Sequence, residues 1–294
     1  MVKYPQHIFL ILLCSLVFNV AGFCNTEPVS YHIPFVKSQG LMLIEATLND
    51  EQGWFVFDTG ADAILINEQE SRACSTSFQT LSGSIYSSKK KIKEITIGNV
   101  VMNDVEAYSV DLSSIEHFTN RKLLGVLGTR FLKGDVLFID NINNVIQILD
   151  KHLVKNLSGK NYIASKISMD NGIPIVPIKI GQFEYRFGLD TGASASVISE
   201  SLIKEQPDLF KDNFQSAVQI HTVDNKNIIY NSIVTTNAIQ LAKVNIQDFQ
   251  LGVTSFQEIN EVLSIKIDGI LSLNQISFKE VYIDFDRTQI ILLP

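Results

Sequence analysis

The chain has 294 residues, of which 46% are hydrophobic, and it carries a formal net charge of −7 at pH 7. That hydrophobic content can fill the cores of two domains of ordinary size, which excludes a largely disordered protein. The acidic balance argues against nucleic acid as a partner. The five histidines are scattered and the sequence has no phosphate-binding loop, so we expect no metal and no cofactor.

The N-terminal residues have the pattern of a signal peptide. Lys3 supplies a positive charge, residues 8–20 are apolar, and small residues follow them. We therefore expect residues 1–24 to be removed on export, which leaves a periplasmic or secreted protein without a transmembrane span. A retained membrane anchor is less favoured because the apolar run is short. A lipid anchor at Cys24 is a minor alternative, because the residue before it is not small.

Short runs in which apolar and polar residues alternate dominate the rest of the chain, as in residues 93–101 and 173–180. Gly, Asn and Asp interrupt these runs, which is typical of strands joined by turns. Residues 200–210 are compatible with a short helical turn or two. The sequence therefore predicts an all-β protein.

An internal repeat predicts the domain organisation. Residues 46–66 align without a gap on residues 178–198, and the 25 residues that begin at Gly125 match the 25 that begin at Gly269. A duplication on this scale predicts two related lobes.

We assign the first lobe to residues 29–150 and the second lobe to residues 171–294. Residues 151–170, which are rich in Lys, Asn, Ser and Gly, are expected to form the linker. Cys74 is the only cysteine remote from the signal peptide, so stability is expected from two apolar cores and not from an internal disulfide.

The tetrapeptide Asp-Thr-Gly-Ala occurs twice, at Asp58–Ala61 and at Asp190–Ala193, each time after a short apolar run. An isolated charge is costly to bury, so a carboxylate at the end of a buried strand needs a hydrogen-bond or charge partner. The second copy of the motif is the obvious candidate. The sequence therefore predicts that Asp58 and Asp190 form one shared pair.

These motifs resemble those of the retropepsin-like aspartic proteases, which include retroviral and bacterial members. The first element of the family is similar to residues 55–62 and 187–194, and the second is similar to Leu123-Leu124-Gly125 and Ile267-Asp268-Gly269. The resemblance covers nearly all of both lobes. It implies two β-barrel lobes related by a pseudo-two-fold axis, with an active-site cleft between them.

The resemblance also implies a chemistry for the pair. Two carboxyl groups about 3 Å apart cannot both ionise comfortably, so Asp58 and Asp190 would hold one proton between them near working pH. The ionised member would take a proton from a water that attacks the scissile amide, and the protonated member would act as the acid. The sequence leaves open which aspartate is the base.

Six further residues receive supporting roles from the resemblance. The threonine hydroxyls would reach across to the opposite loop, the glycines of the two motifs would let the loops approach each other, and two more glycines would let a strand pass behind them. These residues are Thr59, Thr191, Gly60, Gly192, Gly125 and Gly269. Gly125 and Gly128 are interpreted as a turn beside a strand. Two glycines at this spacing are too weak a pattern to indicate a nucleotide-binding motif.

Other charged residues receive non-catalytic interpretations. Asp140 and Asp284 match between the lobes and each precedes a hairpin turn, so we expect them to cap turns. The run Lys89–Lys91 lies where the family has a flap hairpin, and we expect a solvated hairpin tip. Asp268 has no acidic counterpart in the first lobe and is left unassigned.

The flaps depart from the family pattern. Residues 81–84 are a plausible piece of a Gly-rich flap in the first lobe, whereas residues 222–226 of the second lobe are a turn signal without Gly. One or two flaps are both compatible with this pattern.

Two functions remain open at the level of sequence. One is an exported aspartic endopeptidase that acts on peptides or proteins, and the other is a non-catalytic protein that keeps the fold and binds a peptide or partner. By similarity to the retroviral dimer, residues 30–36, the linker and residues 289–293 are expected to share one sheet. The functional unit is therefore expected to be a monomer.

Overall fold

The computed structural model describes residues 8–10, 31–68, 76–81, 83–129, 136–150, 161–213, 218–221, 227–230 and 233–294. The predicted signal peptide lies almost entirely outside these residues, as do Cys24 and Cys74. The exception is the short strand β1 (Ile8–Leu10). No helix within the described ranges is long and apolar enough to cross a membrane.

The first lobe consists of strands and one short helix. The strands are β2 (Tyr31–Ser38), β3 (Leu41–Leu48), β4 (Glu51–Phe57), β5 (Ile64–Asn67), β6 (Thr76–Thr80), β7 (Gly83–Ser87), β8 (Lys89–Ile97), β9 (Val100–Val110), β10 (Leu123–Leu127), β11 (Val136–Asp140) and β12 (Val145–Leu149). Helix α1 (Ser113–Thr119) lies between β9 and β10. Strand β3 pairs with both β4 and β8, which closes β3, β4, β10, β5, β9 and β8 into a barrel.

The second lobe repeats this arrangement. Its strands are β13 (Ile163–Lys166), β14 (Ser168–Asp170), β15 (Ile173–Ile180), β16 (Phe183–Asp190), β17 (Val197–Ser199), β18 (Lys211–Asn213), β19 (Val218–His221), β20 (Asn227–Tyr230), β21 (Ile233–Leu241), β22 (Val244–Thr254), β23 (Gly269–Ser272), β24 (Glu280–Asp284) and β25 (Gln289–Leu293). Pairing of β15 with β21 closes the second barrel. The prediction of an all-β fold with two β-barrel lobes is confirmed.

The few helices of the second lobe are short. Helix α2 (Glu200–Glu205) and a 3-10 turn at Pro207–Leu209 confirm the helical turns predicted after the second motif. Helix α3 (Gln257–Val262) stands where α1 stands in the first lobe, and a second 3-10 turn covers Leu273–Gln275.

Both barrels contain one unusual pairing that matters for the site. In the first lobe β10 lies between β4, to which it is parallel, and β5, to which it is antiparallel. In the second lobe β23 lies in the same way between β16 and β17. Each aspartate motif follows β4 or β16, so β10 and β23 run directly beside the strands that lead into the motifs.

A sheet of six strands connects the lobes, in the order β13-β25-β24-β11-β12-β2. Strand β2 comes from the start of the first lobe, β13 from the predicted linker and β25 from the end of the chain. The prediction that these three segments share one sheet is thus confirmed. Apolar side chains such as Leu137, Ile146 and Ile283 are buried on the sheet and join a single hydrophobic core that reaches both barrels.

Both lobes carry a hairpin in the flap region. Strands β6 and β7 pair in the first lobe, and β19 and β20 pair in the second, on either side of the residues expected to form a turn. Strand β1 pairs with β19 in parallel. Two hairpins are therefore present, although only the first has the Gly-containing turn sequence.

Candidate active site

The strands β4 and β16 deliver the two motif aspartates to the lobe interface. The side chains that lead into the first motif, Phe55 and Phe57, are fully buried, and they anchor the end of β4 in the core. The backbone N–H of Asp58 then donates to the carbonyl of Leu127 on β10, at 3.1 Å. Both Asp58 and Asp190 are 0% exposed.

The two carboxyl groups meet across the lobe interface. The side chains of Asp58 and Asp190 lie close enough for each to affect the pKa of the other, and Oδ2 of each carboxyl is buried without a hydrogen-bond partner among the described residues. The N–H of Gly60 donates to Oδ1 of Asp58 at 2.7 Å, and the N–H of Gly192 donates to Oδ1 of Asp190 at 2.6 Å. Because a carboxylate has no proton to donate, a hydrogen bond between two carboxyls requires one of them to be protonated.

Burial governs the acidity of this pair. It raises the pKa of Asp58 well above its ordinary value, and the adjacent charge of Asp190 raises it further. Burial also raises the pKa of Asp190, to about 7, although its interactions with the Asp58 side chain and with the N–H of Gly192 oppose that effect. The pair therefore holds on to a proton at a pH where ordinary carboxyls are fully ionised.

The threonines of the two motifs connect the lobes symmetrically. The backbone N–H of Thr59 donates to Oγ1 of Thr191 at 3.0 Å, and the N–H of Thr191 donates to Oγ1 of Thr59 at 3.1 Å. Each hydroxyl in turn donates across the interface, to the carbonyl of Leu189 or of Phe57, at 2.8 Å in both cases. These four buried bonds form the cross-lobe contact that the sequence analysis expects, and they fix the distance between the two aspartate loops.

The glycines of the motifs allow the close approach. A Cβ on Gly192 would lie 2.4 Å from Cγ of Asp58, which no real side chain could tolerate. Only glycine fits at position 192, because any larger residue would push the two carboxyl groups apart. Gly60 contributes the N–H group described above.

Gly125 and Gly269 lie in β10 and β23, paired with Phe55 and Phe187 respectively. A Cβ on Gly125 would lie 2.0 Å from the carbonyl oxygen of Leu65, and one on Gly269 would lie 2.3 Å from the ring of Phe187. Both glycines let a strand pass behind the aspartate strands, as expected. The interpretation of Gly125 as part of a turn is wrong, because it lies inside β10.

Residues directly behind the aspartate loops were missed by the sequence analysis. A Cβ on Gly128 would lie 2.3 Å from the carbonyl oxygen of Ala63, so Gly128 lies against the first loop. Its counterpart in the second lobe is Ser272, whose hydroxyl donates to the carbonyl of Ala193 at 2.6 Å. The alignment of the two repeats already pairs Gly128 with Ser272, and this pairing is the sequence feature that could have identified them.

A turn from each lobe also packs on the motif of the other. Gly40, in the turn between β2 and β3, lies against Ser194, and Gly172, in the turn between β14 and β15, lies against Asp62. Both glycines have a φ of +79°, which favours glycine. The hydroxyl of Thr129 lies 3.2 Å from the carbonyls of both Ala61 and Gly172, so it joins the first loop to this turn.

The first-lobe hairpin spans the cleft. Phe78 on β6 and Ile85 on β7 pack into an apolar cluster of the first lobe, and the ring of Phe78 meets that of Tyr108 edge to face at 5.0 Å. Leu81, at the tip, instead belongs to an apolar cluster whose other members all come from the second lobe, including Ile259 on α3. The hairpin is therefore anchored in one lobe and closed on the other.

The remaining charged residues lie away from the pair. Asp140 accepts the N–H groups of residues 142 and 143, and Asp284 accepts that of Arg287, so both cap hairpin turns as expected. Asp268 accepts the N–H of Arg186 at 2.8 Å, which gives the unassigned carboxyl a structural partner.

The expectation of a hairpin tip at Lys89–Lys91 is wrong. These residues begin strand β8, and each lysine forms an ion pair with an acidic side chain, those of Glu106, Glu68 and Asp104 respectively. Three consecutive charges favour an exposed tip, but here they lie at the start of β8, where they pair with β9 and keep contact with solvent. Among the described residues, no group of three or more His, Cys, Asp or Glu could hold a metal ion.

The fold of this chain is similar to those of known proteins. Among solved structures, the chain is similar to an aspartic proteinase from Irpex lacteus, with a TM-score of 0.52 and 10% identity over 90% of this chain and 97% of that one. It is also similar to Basic 7S globulin from soybean, with a TM-score of 0.51 and 10% identity over 91% and 95% of the two chains. At this identity the likeness shows the fold alone. The comparison with curated proteins finds no match.

A family comparison reaches further than the fold. The aspartyl protease family model matches residues 44–131 and again residues 176–274, together more than half of the chain. Each match contains one Asp-Thr-Gly-Ala motif and the glycine element that follows it. The chain therefore belongs to the aspartyl protease family, with two copies of the family domain in tandem.

Proposed function

We propose that this protein is an exported aspartic endopeptidase in which Asp58 and Asp190 activate a water molecule against a peptide bond. One observation carries the proposal: two fully buried carboxyls from different lobes lie together at the lobe interface, where burial raises the pKa of both. Such a pair is costly to bury and has no packing role that a neutral side chain could not fill. Acid–base chemistry on a peptide gives it a purpose.

The proposed reaction uses one proton of the pair and one water. The ionised carboxylate takes a proton from the water as the water oxygen bonds to the amide carbon, and the protonated carboxyl donates to the developing oxyanion. In the second half a hydroxyl of the tetrahedral intermediate returns a proton to the pair as the carbonyl re-forms, the C–N bond breaks, and the leaving nitrogen receives a proton from the pair. The two products are a carboxylic acid and an amine, and the pair returns to its single-proton state.

The closed hairpin supports the same function. Water-excluded sites strengthen hydrogen bonds to a developing charge, and a lid must also open to admit an extended peptide. Strands β6 and β7 provide such a lid, because Leu81 reaches the second lobe over the cleft. The proposed substrate is therefore a peptide or an unfolded protein segment that enters between the lobes.

Export is proposed from the sequence pattern of residues 1–24 and places the activity in the periplasm or outside the cell. Edman sequencing of the protein recovered from the periplasmic or culture fraction tests this point. A mature N-terminus near residue 25 supports it. Full-length protein that stays in the cytoplasm contradicts it.

The catalytic proposal is tested by Asp58→Asn and Asp190→Asn, each of which keeps the side-chain shape but cannot share the proton. We expect each variant to lose at least roughly a thousandfold in peptide hydrolysis, because a single carboxyl cannot supply both the base and the acid. Cleavage of a mixed peptide library, followed by mass spectrometry, measures the activity. Asp104→Asn, at an exposed surface carboxyl, is the matched control.

Two outcomes contradict the proposal. Near wild-type cleavage by either variant would show that the pair is not the reacting group. Tight peptide binding by the wild type without any cleavage, under all conditions from pH 3 to 8, would favour the non-catalytic alternative. Circular dichroism of every variant establishes that the fold is intact.

A further inference from the structure

The two aspartate loops are held differently by the residues behind them. Behind the first loop, the N–H and hydroxyl of Thr129 donate to the carbonyl of Ala61, at 2.8 and 3.2 Å. Behind the second loop, Nδ2 of Asn274 donates to the carbonyls of Thr191 and Ala193, at 2.8 and 3.2 Å. Asn274 thus contacts the Thr191 peptide group as well as that of Ala193, whereas its match in the first lobe, Arg130, lies outside the described residues.

The orientation of the Asn274 amide follows from its surroundings. An amide has one end that donates and one end that accepts. Two carbonyl oxygens lie within hydrogen-bond distance of the same end, so that end must be the NH₂ group, since the carbonyl end would be repelled by both. Asn274 is therefore a fixed donor to the second loop.

The carbonyl of Thr191 and the N–H of Gly192 belong to one peptide group, and that N–H donates a hydrogen bond to Asp190. In that peptide the C=O of Thr191 accepts from Asn274, and the N–H of Gly192 donates to Oδ1 of Asp190 at 2.6 Å. A hydrogen bond to the carbonyl polarises a peptide and makes its N–H a stronger donor. A stronger donor favours the ionised form of the carboxyl that it contacts.

The first loop lacks this chain of bonds. The N–H of Gly60 donates to Asp58 in the same way, at 2.7 Å. However, among the residues that the structure describes, no side chain donates to the carbonyl of Thr59. Within the described ranges, the N–H groups of Gly60 and Gly192 are symmetric about the pair, and the side-chain donor Asn274 is present on one side.

We infer that Asn274 is a positioning residue that makes Asp190 the ionised base of the pair and leaves the proton, and hence the role of acid, to Asp58. The inference rests on the proposed function and assigns the two roles that the sequence left open.

The acidity of the pair agrees with this assignment. The interaction between the two carboxyls raises the pKa of Asp58, as expected of the group that holds the proton, and lowers the pKa of Asp190, as expected of the group that ionises. Within the described part of the chain, no other charged group shifts the pKa of either carboxyl.

The test replaces Asn274 and follows the carboxyls directly. Asn274→Leu keeps the side-chain volume and removes the donor, and Asn274→Ala is the second variant should leucine not pack. Asn141→Leu is the matched control, because Asn141 also donates to a backbone carbonyl, that of Phe278 at 2.8 Å, but lies at a turn of the interlobe sheet. The readout is ¹³C NMR titration of labelled aspartate carboxyls, with Asp58 and Asp190 assigned through their Asn variants.

In the wild type we expect Asp190 to ionise first and Asp58 at higher pH. Loss of Asn274 should raise the first apparent pKa by about 0.5 unit, a polarisation effect of a fraction of one hydrogen bond. The acid limb of the kcat/KM profile should move up by the same amount, and Asn141→Leu should change neither. Ionisation of Asp58 first, or an unchanged first step in both Asn274 variants, would overturn the inference.

The NMR titration separates this inference from the proposed function. If the wild type hydrolyses no peptide but Asp190 ionises first and responds to Asn274, the positioning role stands and the peptidase proposal fails. If peptides are hydrolysed but the titration order is reversed, the peptidase proposal stands and the role of Asn274 fails.

Discussion

At the residue scale, the acidity of the aspartate pair depends on burial more than on any single neighbour. Desolvation is the largest cause of the raised pKa of both Asp58 and Asp190, and the backbone N–H groups of the motifs offset only part of it. A carboxyl whose pKa is raised by folding stabilises the folded state only while it is protonated. The pair should therefore make stability depend on pH.

This dependence can be isolated with Asp190→Asn. The pKa of Asp190 rises from 3.8 to about 7, so between these values the folded protein keeps a proton that the unfolded chain has released. The wild type should lose stability as pH rises through this window more steeply than the variant, by up to about 1.4 kcal/mol per pH unit, because the variant keeps only the buried carboxyl of Asp58. Urea unfolding at pH 4, 5, 6 and 7 measures the difference. Parallel stability curves for the two proteins would contradict the raised pKa.

The alanine that follows each Asp-Thr-Gly predicts a mild pH optimum for activity. Ala61 and Ala193 have no hydroxyl to donate to the carboxylates, so at these positions only the backbone N–H groups lower the dyad pKa, and the single-proton state should persist toward neutral pH. We expect a bell-shaped kcat/KM profile with its maximum at weakly acidic to near-neutral pH. Serine at both positions should move the profile toward acid.

Ala63→Ser with Ala195→Ser is the control for this prediction. These alanines lie two residues further along the same loops and are similarly buried, at 2% and 3% exposure. The control should leave the pH profile in place. An unchanged or alkaline-shifted profile in the Ala61 and Ala193 double variant would show that the missing hydroxyl is not the cause.

At the scale of elements, the hairpin of β6 and β7 is the part of the cleft that must move. Its base packs in the first lobe through Phe78 and Ile85, and its tip is held in the second lobe by Leu81, which is 7% exposed. Burial of one leucine stabilises the closed arrangement by about 2 kcal/mol. Opening of the cleft therefore requires the contact between Leu81 and the second lobe to break.

Leu81→Ala should shift the hairpin toward its open state. A loss of about 2 kcal/mol corresponds to roughly a 30-fold change in the ratio of closed to open forms. Hydrogen exchange of the amides in β6 and β7 should accelerate accordingly, and kcat/KM should fall because the closed form excludes water from the reaction. Tyr86→Ala, on the same hairpin but with Tyr86 64% exposed, is the control and should change neither quantity.

At the scale of the whole molecule, the interlobe sheet joins the two lobes within one chain. Strands from both lobes share that sheet, which includes β2 and the last strand β25, and each aspartate comes with its own lobe. The pseudo-dimer is therefore held by one covalent chain, a continuous apolar core and the cross-lobe threonine bonds. Nothing in the pairing of the two aspartates calls for a second copy.

We accordingly expect the active species to be a monomer. Analytical ultracentrifugation at assay concentration should give a single species near the monomer mass of 32.9 kDa or slightly less after signal removal. Specific activity should stay constant as the protein is diluted from micromolar to nanomolar concentration. Activity that falls more steeply than the dilution would instead indicate an obligate dimer.

The sequence by itself determined the architecture and the central pair. Two Asp-Thr-Gly-Ala motifs after apolar runs, repeated in register, are local patterns, and local patterns can be recognised without knowing the fold. The same holds for the turn-capping Asp140 and Asp284, whose partners lie within three residues. The interlobe sheet was predicted for another reason. The two lobes of this chain resemble the two subunits of the retroviral dimer, so the sheet shared by those subunits was expected here within one chain.

Only the tertiary structure decided the residues that act across long separations. Asn274 bonds a loop 83 residues earlier in the chain, and Leu81 packs among residues of the other lobe. Lys89–Lys91 form part of a strand, and their acidic partners come from other segments of the chain. Periodicity and spacing report which face of an element is buried, but not what lies against it. The contacts that distinguish Asp190 from Asp58 depend on what lies against each loop, so the sequence pattern could not predict them.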